Sequence, residues 1–365
     1  MRPVDIYDEL EKRVIGQQEV LRYVSVAIFK HLQGEKYGNL LLIGNSGTGK
    51  TTIMRAIEAL YGAYEELAEY RVVLIMNANT LATEDGAVDT SRLFTRLEER
   101  VRQVLGVGAS VERIGRVMER ATICLDEIDK VSGRIGGKPY VTGINIQQAV
   151  LTLIEGERVP YRITAPLEED GGLTHSSTAW LDTGKMLFLC AGAFETLYDQ
   201  VFARVTSPKS GTKLPTTTTY VDGKVQIREY FTLRHHFRQE DLFEYGMQPQ
   251  FLSRFDNAVI LEDLNAVLLS RIFAEPEDGV LRTSQSFFRK YGIELELTEQ
   301  AVQKIAEEAA KSSRIGARAL KSVYGRIIKP FEFDPFSRSE VQANGDGHRL
   351  VIDDAMVANA LKPAI

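Results

Sequence analysis

The sequence predicts an α/β fold: a parallel sheet covered by helices on both faces over residues 1–259, then a smaller, mainly helical domain over 260–365. Three observations carry this. Short apolar runs alternate with helix-like stretches before residue 195, the pattern of parallel strands buried on both faces. A glycine-rich turn joins the first run to the helix after it. Beyond about Leu261 the runs stop and helical periodicity takes over.

In chain order, "IYDELEKRVIGQQEVLRYVSVAIFKHL" reads as two helices broken at Ile15-Gly16. "NLLLIG" is a buried strand, followed by a helix over Thr51–Tyr61. "YRVVLIMNA" is a second strand, residues 90–119 are helical and highly charged, and "ATICLDEID" is a third strand. Ile146–Glu155 is a helix and "KMLFLCAGAF" a fourth strand. An insertion occupies about 198–246. Within it "TTTTYVDGKVQIREYF" alternates β-branched and polar residues around Asp222-Gly223, which reads as a β-hairpin; a flexible loop is the other reading of its threonine run. Further on, Thr298 is placed to cap a helix whose apolar face is Val302, Ile305, Ala306 and Ala309.

Composition narrows the function classes. With 44 basic and 50 acidic residues the net charge is −6, which disfavours a general nucleic-acid binder. Cys124 and Cys190 lie in apolar runs, as buried thiols do, rather than in a metal or disulfide pattern. "MRPVDIYDELEKR" is too charged for a secretory signal. No apolar run reaches the roughly 18–20 residues that span a bilayer. The expectation is a cytoplasmic protein without a membrane partner.

Gly44-Asn45-Ser46-Gly47-Thr48-Gly49-Lys50-Thr51 matches G-x-x-x-x-G-K-[ST] in full, with Thr52 behind it. Such a loop turns backbone N–H groups onto phosphate oxygens, which glycine permits by lacking a Cβ. Lys50 supplies a point charge, Thr51 a hydroxyl for Mg²⁺, and the helix N-terminus its positive end. ATP with Mg²⁺ is the ligand expected. In "ICLDEID" two adjacent carboxylates end an apolar strand. Asp126 is placed to hold Mg²⁺ through water and Glu127 to orient and deprotonate the attacking water, while Asp129 reads as a capping or turn residue. Downstream, Arg254 in "PQFLSRF" and Arg318 in "SRIGARALKSV" are candidates to stabilise transition-state charge. Taken singly, an arginine in such a setting is more often a surface ion-pair partner, and spacing alone does not place either one at the phosphate.

"VIGQQEV", "GNSGTGKTT", "ICLDEIDK", "IQQAVLTLIEGE", "LDTGKMLFLCAGAF", "GMQPQFLSRFD" and "RIGARALKSV" occur in the order found in AAA+ ATPases of the ClpX/HslU type. The chain resembles ClpX most, from about Tyr7 onward. The resemblance implies a P-loop NTPase large domain, a helical lid and a homo-oligomeric ring, usually of six subunits. It implies that Val14 and Ile15 border the adenine, that Arg254 is an arginine finger acting on the neighbour's nucleotide, and that Arg318 is the sensor-2 arginine. Around Cys190 and Ala191 no polar sensor-1 residue stands out.

Departures fall on the segments that would touch a protein client. The resemblance places a gripping aromatic where Ala87 stands in "TEDGAVDTS". A second pore loop, "GGKPYVTGIN", has Tyr140 and Val141 but Pro139 in place of an arginine; Tyr140 either faces the pore or packs on its own loop. The segment before Trp180 keeps His175 without flanking basic residues. No cysteine-rich zinc segment and no Ile-Gly-Phe docking tripeptide is found, so contact with the ClpP peptidase is not expected. The leading expectation is a ring ATPase that remodels dedicated protein partners without ClpP, with the 206–230 insertion as a partner-docking candidate. The alternatives are a nucleotide-gated scaffold and a nucleic-acid motor or loader.

Overall fold

The computed structural model describes residues 1–35, 38–106, 108–166, 174–208, 210–214, 216–221, 224–229, 231–312, 315–345 and 347–362. The chain divides into two compact units. One comprises Met1–Leu10, Gln18–Gly44 and Lys50–Leu261; the other comprises Glu11–Gln17, Asn45–Gly49 and Glu262–Ile365.

The first unit is built on a five-stranded sheet of β1 (Leu40–Ile43), β2 (Val73–Asn77), β3 (Thr122–Asp126), β4 (Leu187–Gly192) and β5 (Asn257–Ile260). Its order is β5-β1-β4-β3-β2, and every pairing is parallel. β1 and β4 are buried along their whole length, as their unbroken apolar sequences require of strands covered on both faces. Register brings Ile43 beside Gly192 and Asn77 beside Asp126. The loops at these carboxyl ends are where ligands bind in open α/β sheets. Cys124 and Cys190 are free, fully buried thiols on neighbouring strands, and burial pushes both well above the ordinary thiol range.

The elements follow the sequence expectation with instructive exceptions. Residues 90–119 form two helices, Ser91–Leu105 and Val111–Glu119; Gly106 ends the first with a positive φ and the Ser110 side chain caps the second. The helix expected from Ile146 begins at Val141, because Gly143 and Thr142 are accommodated in its first turn. The helix is therefore five residues longer than apolar spacing alone indicates. A long antiparallel hairpin, Arg158–Pro166 with Thr174–Asp182, was not foreseen. In the insertion, Thr216–Val221 and Lys224–Glu229 pair as an antiparallel hairpin, as the alternation suggested. Its expected turn, Asp222-Gly223, lies outside the described residues.

The second unit has its own core, with Leu269, Phe273, Phe288, Ile305, Tyr324 and Leu350 among its buried residues. Its helices include Ala266–Ala274, Val280–Arg289, Glu299–Ala310 and Arg318–Phe333. Thr298 caps the third, accepting from the Ala301 N–H at 3.2 Å, and Ile305, Ala306 and Ala309 are buried on its inner face. The mainly helical reading omitted a three-stranded sheet formed by β6 (Ile293–Leu297), β7 (Val341–Asn344) and β8 (Gly347–Ile352), ordered β6-β8-β7.

Candidate functional site

In the first unit the helix Lys50–Ala63 starts at the last two residues of the glycine-rich motif. Lys50 is only 8% exposed, and its Nζ donates to Gly44 O at 2.5 Å. Gly44 N in turn donates to Gly192 O at 3.2 Å, fixing the start of the loop to the end of β4. Thr51 Oγ1 donates to Asp126 Oδ2 at 3.3 Å. The fold thus brings together the hydroxyl and the carboxylate expected to serve one Mg²⁺.

Glu127, the next residue, has φ 56° and ψ 34°, the left-handed region that a non-glycine residue adopts at a cost of order 1–3 kcal/mol. Its N–H donates to Asp126 Oδ1 at 2.8 Å, and its Oε2 accepts from Asn77 Nδ2 at 3.1 Å. Asn77 was missed by sequence reasoning. The signal was available: a carboxamide ends the apolar run of β2 beside the strand that ends in the two carboxylates. Asp129 is not a cap. It is buried, and its Oδ1 accepts from Ala193 N at 3.2 Å, tying the turn after β3 to the end of β4. Arg254 meets none of these groups among the described residues; its guanidinium forms a close ion pair with Glu155, the last residue of the helix Val141–Glu155.

In the second unit the middle of the same loop, Asn45–Gly49, is held from four sides. Asn45 Nδ2 donates to Asp263 Oδ1 at 2.9 Å; burial raises the Asp263 pKa, and this bond opposes the rise. Arg318 Nη1 donates to Ser46 Oγ at 2.6 Å, and Ala317 N donates to Gly47 O at 3.1 Å. Gly47 and Gly316 pass backbone to backbone: both have positive φ, and a Cβ on Gly47 would lie 2.3 Å from Ile315 O. Gly49, with φ +109°, has open space where a Cβ would stand. That geometry suits a loop whose N–H groups receive a phosphate. The donors present therefore fit a nucleoside triphosphate with Mg²⁺.

The fourth hold is Gln17, which sequence reasoning also missed. It is 2% exposed and left-handed at φ 62°. Its Nε2 donates to Thr48 O at 3.1 Å and to Glu262 O at 2.8 Å, while its Oε1 accepts from Glu262 N at 2.8 Å. One buried carboxamide thereby joins the loop to the residue that opens the C-terminal segment. Beside it, Val14 is buried and Ile15 half-buried. The glycine break announced the turn, but nothing in local spacing announced the amide's partners.

The loops expected to face a client belong to the first unit. Thr83 N donates to Ala87 O at 2.8 Å, closing a tight turn on which Ala87 is exposed. The Tyr140 ring lies over Gly143 of the helix that follows it, where a Cβ would be 2.6 Å from the ring, and stays half-exposed. Val141, not Tyr140, is the exposed side chain there, at 64%. The two loops are neighbours: a Cβ on Gly86 would lie 3.1 Å from Thr142 Oγ1.

A nucleotide-binding α/β unit with paired carboxylates and an arginine-bearing helical unit define the class. Residues 35–258 match the AAA domain (Cdc48 subfamily), and the chain belongs to that family of ATPases. Within it the chain is ClpX-like. It is 29% identical to the ATP-dependent Clp protease ATP-binding subunit ClpX 3 of Methylococcus capsulatus, over 93% of this chain and 78% of that protein. It is 27% identical to the ClpX of Azotobacter vinelandii, over 93% and 76%. To the ClpX of Porphyromonas gingivalis it is 26% identical, over 97% and 81%. Among the described residues no helix is long and apolar enough to cross a membrane.

Proposed function

We propose that this ATPase works as a ring, of six subunits in the expected arrangement, that remodels dedicated protein partners without ClpP. Residues 1–259 act as its large domain and 260–365 as its lid. The supporting observation is the adjacency of the 83–89 turn and the 140–143 segment, two client-facing candidates carried by the unit that also carries Asp126 and Glu127.

The residues divide the work. Gly44–Thr52 cradles the triphosphate, with Lys50 as the point charge and Val14 and Ile15 beside the base. Thr51 and Asp126 hold Mg²⁺, which when bound neutralises charge on the phosphate oxygens. Glu127 orients a water and takes its proton; Asn77 occupies Oε2, leaving Oε1 for that water. Arg318 reports on the phosphate loop through Ser46, and Arg254 completes the neighbour's site. A change in phosphate contacts then biases a two-state lid, and hydrolysis makes the bias cyclic.

The test is to assemble the Glu127→Gln variant with ATP and identify what it retains. A ring that binds ATP, hydrolyses it very slowly and traps a defined protein supports the reading. Hydrolysis at the parental rate removes Glu127 from its role. A second reading, a nucleotide-gated scaffold, is favoured by the small Ala87 at the gripping position; parental turnover below about 0.01 s⁻¹ in the assembled state, against about 1–10³ s⁻¹ for ordinary enzymes, selects it.

A further inference from the structure

The hairpin Arg158–Pro166/Thr174–Asp182 has two outer edges, and they are unlike. Its register pairs residues whose numbers run oppositely, Arg158 with Asp182 through Pro166 with Thr174. Just beyond it, Thr183 N donates to Glu157 O at 3.0 Å, so odd-numbered residues of the second strand bond inward. Alternation in an antiparallel ladder then turns the N–H and C=O of Ser176, Thr178, Trp180 and Asp182 outward. Asp182 N agrees: it donates away from the first strand, to Glu119 Oε1 at 2.9 Å.

The same parity turns residues 158, 160, 162, 164 and 166 outward on the first strand. That edge is closed to pairing. Pro160 and Pro166 have no N–H to offer, and Thr164 O already accepts from Arg102. The second strand carries none of these protections at 176, 178 and 180, and among the described residues no protein group bonds their outward backbone atoms. Five successive residues of that strand, Ser177–Leu181, line a groove of about 530 Å³ whose other wall is the helix Val111–Glu119. Trp180, the chain's only tryptophan, stands at its mouth, 63% exposed.

We propose that the outward edge of residues 176–180 takes up an extended segment of a partner protein as an added β-strand, seated in the groove beside the helix Val111–Glu119. Main-chain hydrogen bonds supply the register, as in other strand-addition sites, and Glu119 already fills the rung after the last open one. Trp180 meets an apolar side chain of the incoming segment. The groove carries no surplus charge to select an acidic or basic peptide: Arg116 and Arg120 both pair with Glu69, and Lys185 pairs with Glu119. Its size argues for a short segment rather than a second copy of this chain. Twelve residues line it, against about 20–30 on each side of a stable interface between folded proteins. This site is separate from the ATPase reading and stands or falls without it.

The single tryptophan reports binding. The probes are acetylated, amidated hexapeptides alternating threonine with one varied apolar residue, titrated into the full chain while Trp180 emission is followed. At least one saturable shift is expected, little changed between low and high salt. The same peptide N-methylated at alternate residues, on its bonding edge only, keeps its side chains and is expected to bind at least about tenfold more weakly. Thr178→Pro, which copies the protection of the opposite edge, is expected to do the same. Equal binding of the N-methylated peptide overturns the strand-addition claim, even where Thr178→Pro does not fold. No shift with any peptide at about 1 mM overturns it as well. So does a Trp180 shift that follows protein concentration without peptide and that Thr178→Pro abolishes, since that marks a second copy as the occupant of this edge.

Discussion

The phosphate loop and the loops proposed to face a client are both short, glycine-containing turns, yet they are held very differently. Asn45–Gly49 is fixed by Asn45–Asp263, Ser46–Arg318, Gly47–Ala317 and Thr48–Gln17 hydrogen bonds, with two glycines facing each other where no side chain fits. The 83–89 turn is held at its base, where Asp89 N donates to Leu81 O at 2.9 Å and Val88 packs against the core, while its tip is held by its own bonds, Thr83 to Ala87 and Thr83 to Asp85, and Glu84, Asp85 and Ala87 are exposed. A loop that must present N–H groups to a phosphate is determined by everything around it. A loop that grips polypeptide needs only a rigid base and is free to vary at its tip. On the proposed reading, the chemistry of ATP is kept while the surface offered to a client is altered.

The largest expected break in this comparison comes from outside the loop. Arg254→Ala is expected to lower kcat by about 10³-fold or more while leaving ATP affinity near parental. Mixed rings sharpen the point, since Glu127→Gln subunits retain Arg254 and should restore turnover at the intact sites of Arg254→Ala subunits. Failure of that complementation ends the trans assignment. Glu155 belongs to the same test, because its ion pair with Arg254 is half exposed and contributes little to stability. Glu127→Gln itself is expected to cost about 10²–10⁴-fold in turnover with binding retained, measured as steady-state hydrolysis beside nucleotide affinity.

Legibility in the sequence follows the same division. The parallel sheet was readable because β1, β3 and β4 are continuous apolar runs, and the loop because its chemistry demands residue types at fixed spacing. The buried Gln17 was not readable. Its partners, Thr48 and Glu262, are 31 and 245 residues away, and a carboxamide in a turn has no periodicity. The hairpin 158–182 escaped because Pro160 and Pro166 break the strand signal, although proline is tolerated at its outward edge. Of its two readings, Asp129 is the turn residue and not the cap, and its partner was not readable because Ala193 lies just past the end of another strand.

Gln17 supplies a smaller test of how far the loop depends on its surroundings. Gln17→Ala leaves Thr48 O and the Glu262 main-chain groups without their amide partner, at about 1–3 kcal/mol. Nucleotide binding is expected to weaken by about tenfold, read by titration with a fluorescent ATP analogue. Gln17→Gly separates two causes. It relieves the left-handed strain at φ 62° while still deleting the amide. If Gln17→Gly binds nucleotide as the parent does, backbone geometry and not the hydrogen bonds sets the affinity.

The smallest expected effect lies on the other loop and has the opposite sign. Ala87 is exposed on a turn whose bonds run through the main chain and Thr83, so Ala87→Tyr adds an aromatic ring without displacing a packed group. A tyrosine there contributes apolar contact area that a methyl group cannot. The ratio of client-stimulated to basal turnover within the variant is expected to rise a few-fold over the same ratio in the parent. Contact area at this position then limits grip. An unchanged ratio, with the client still bound, means that grip resides elsewhere. Val141 is the candidate to examine next, since it is the most exposed side chain of the neighbouring segment, beside a half-exposed Tyr140 whose ring lies over Gly143.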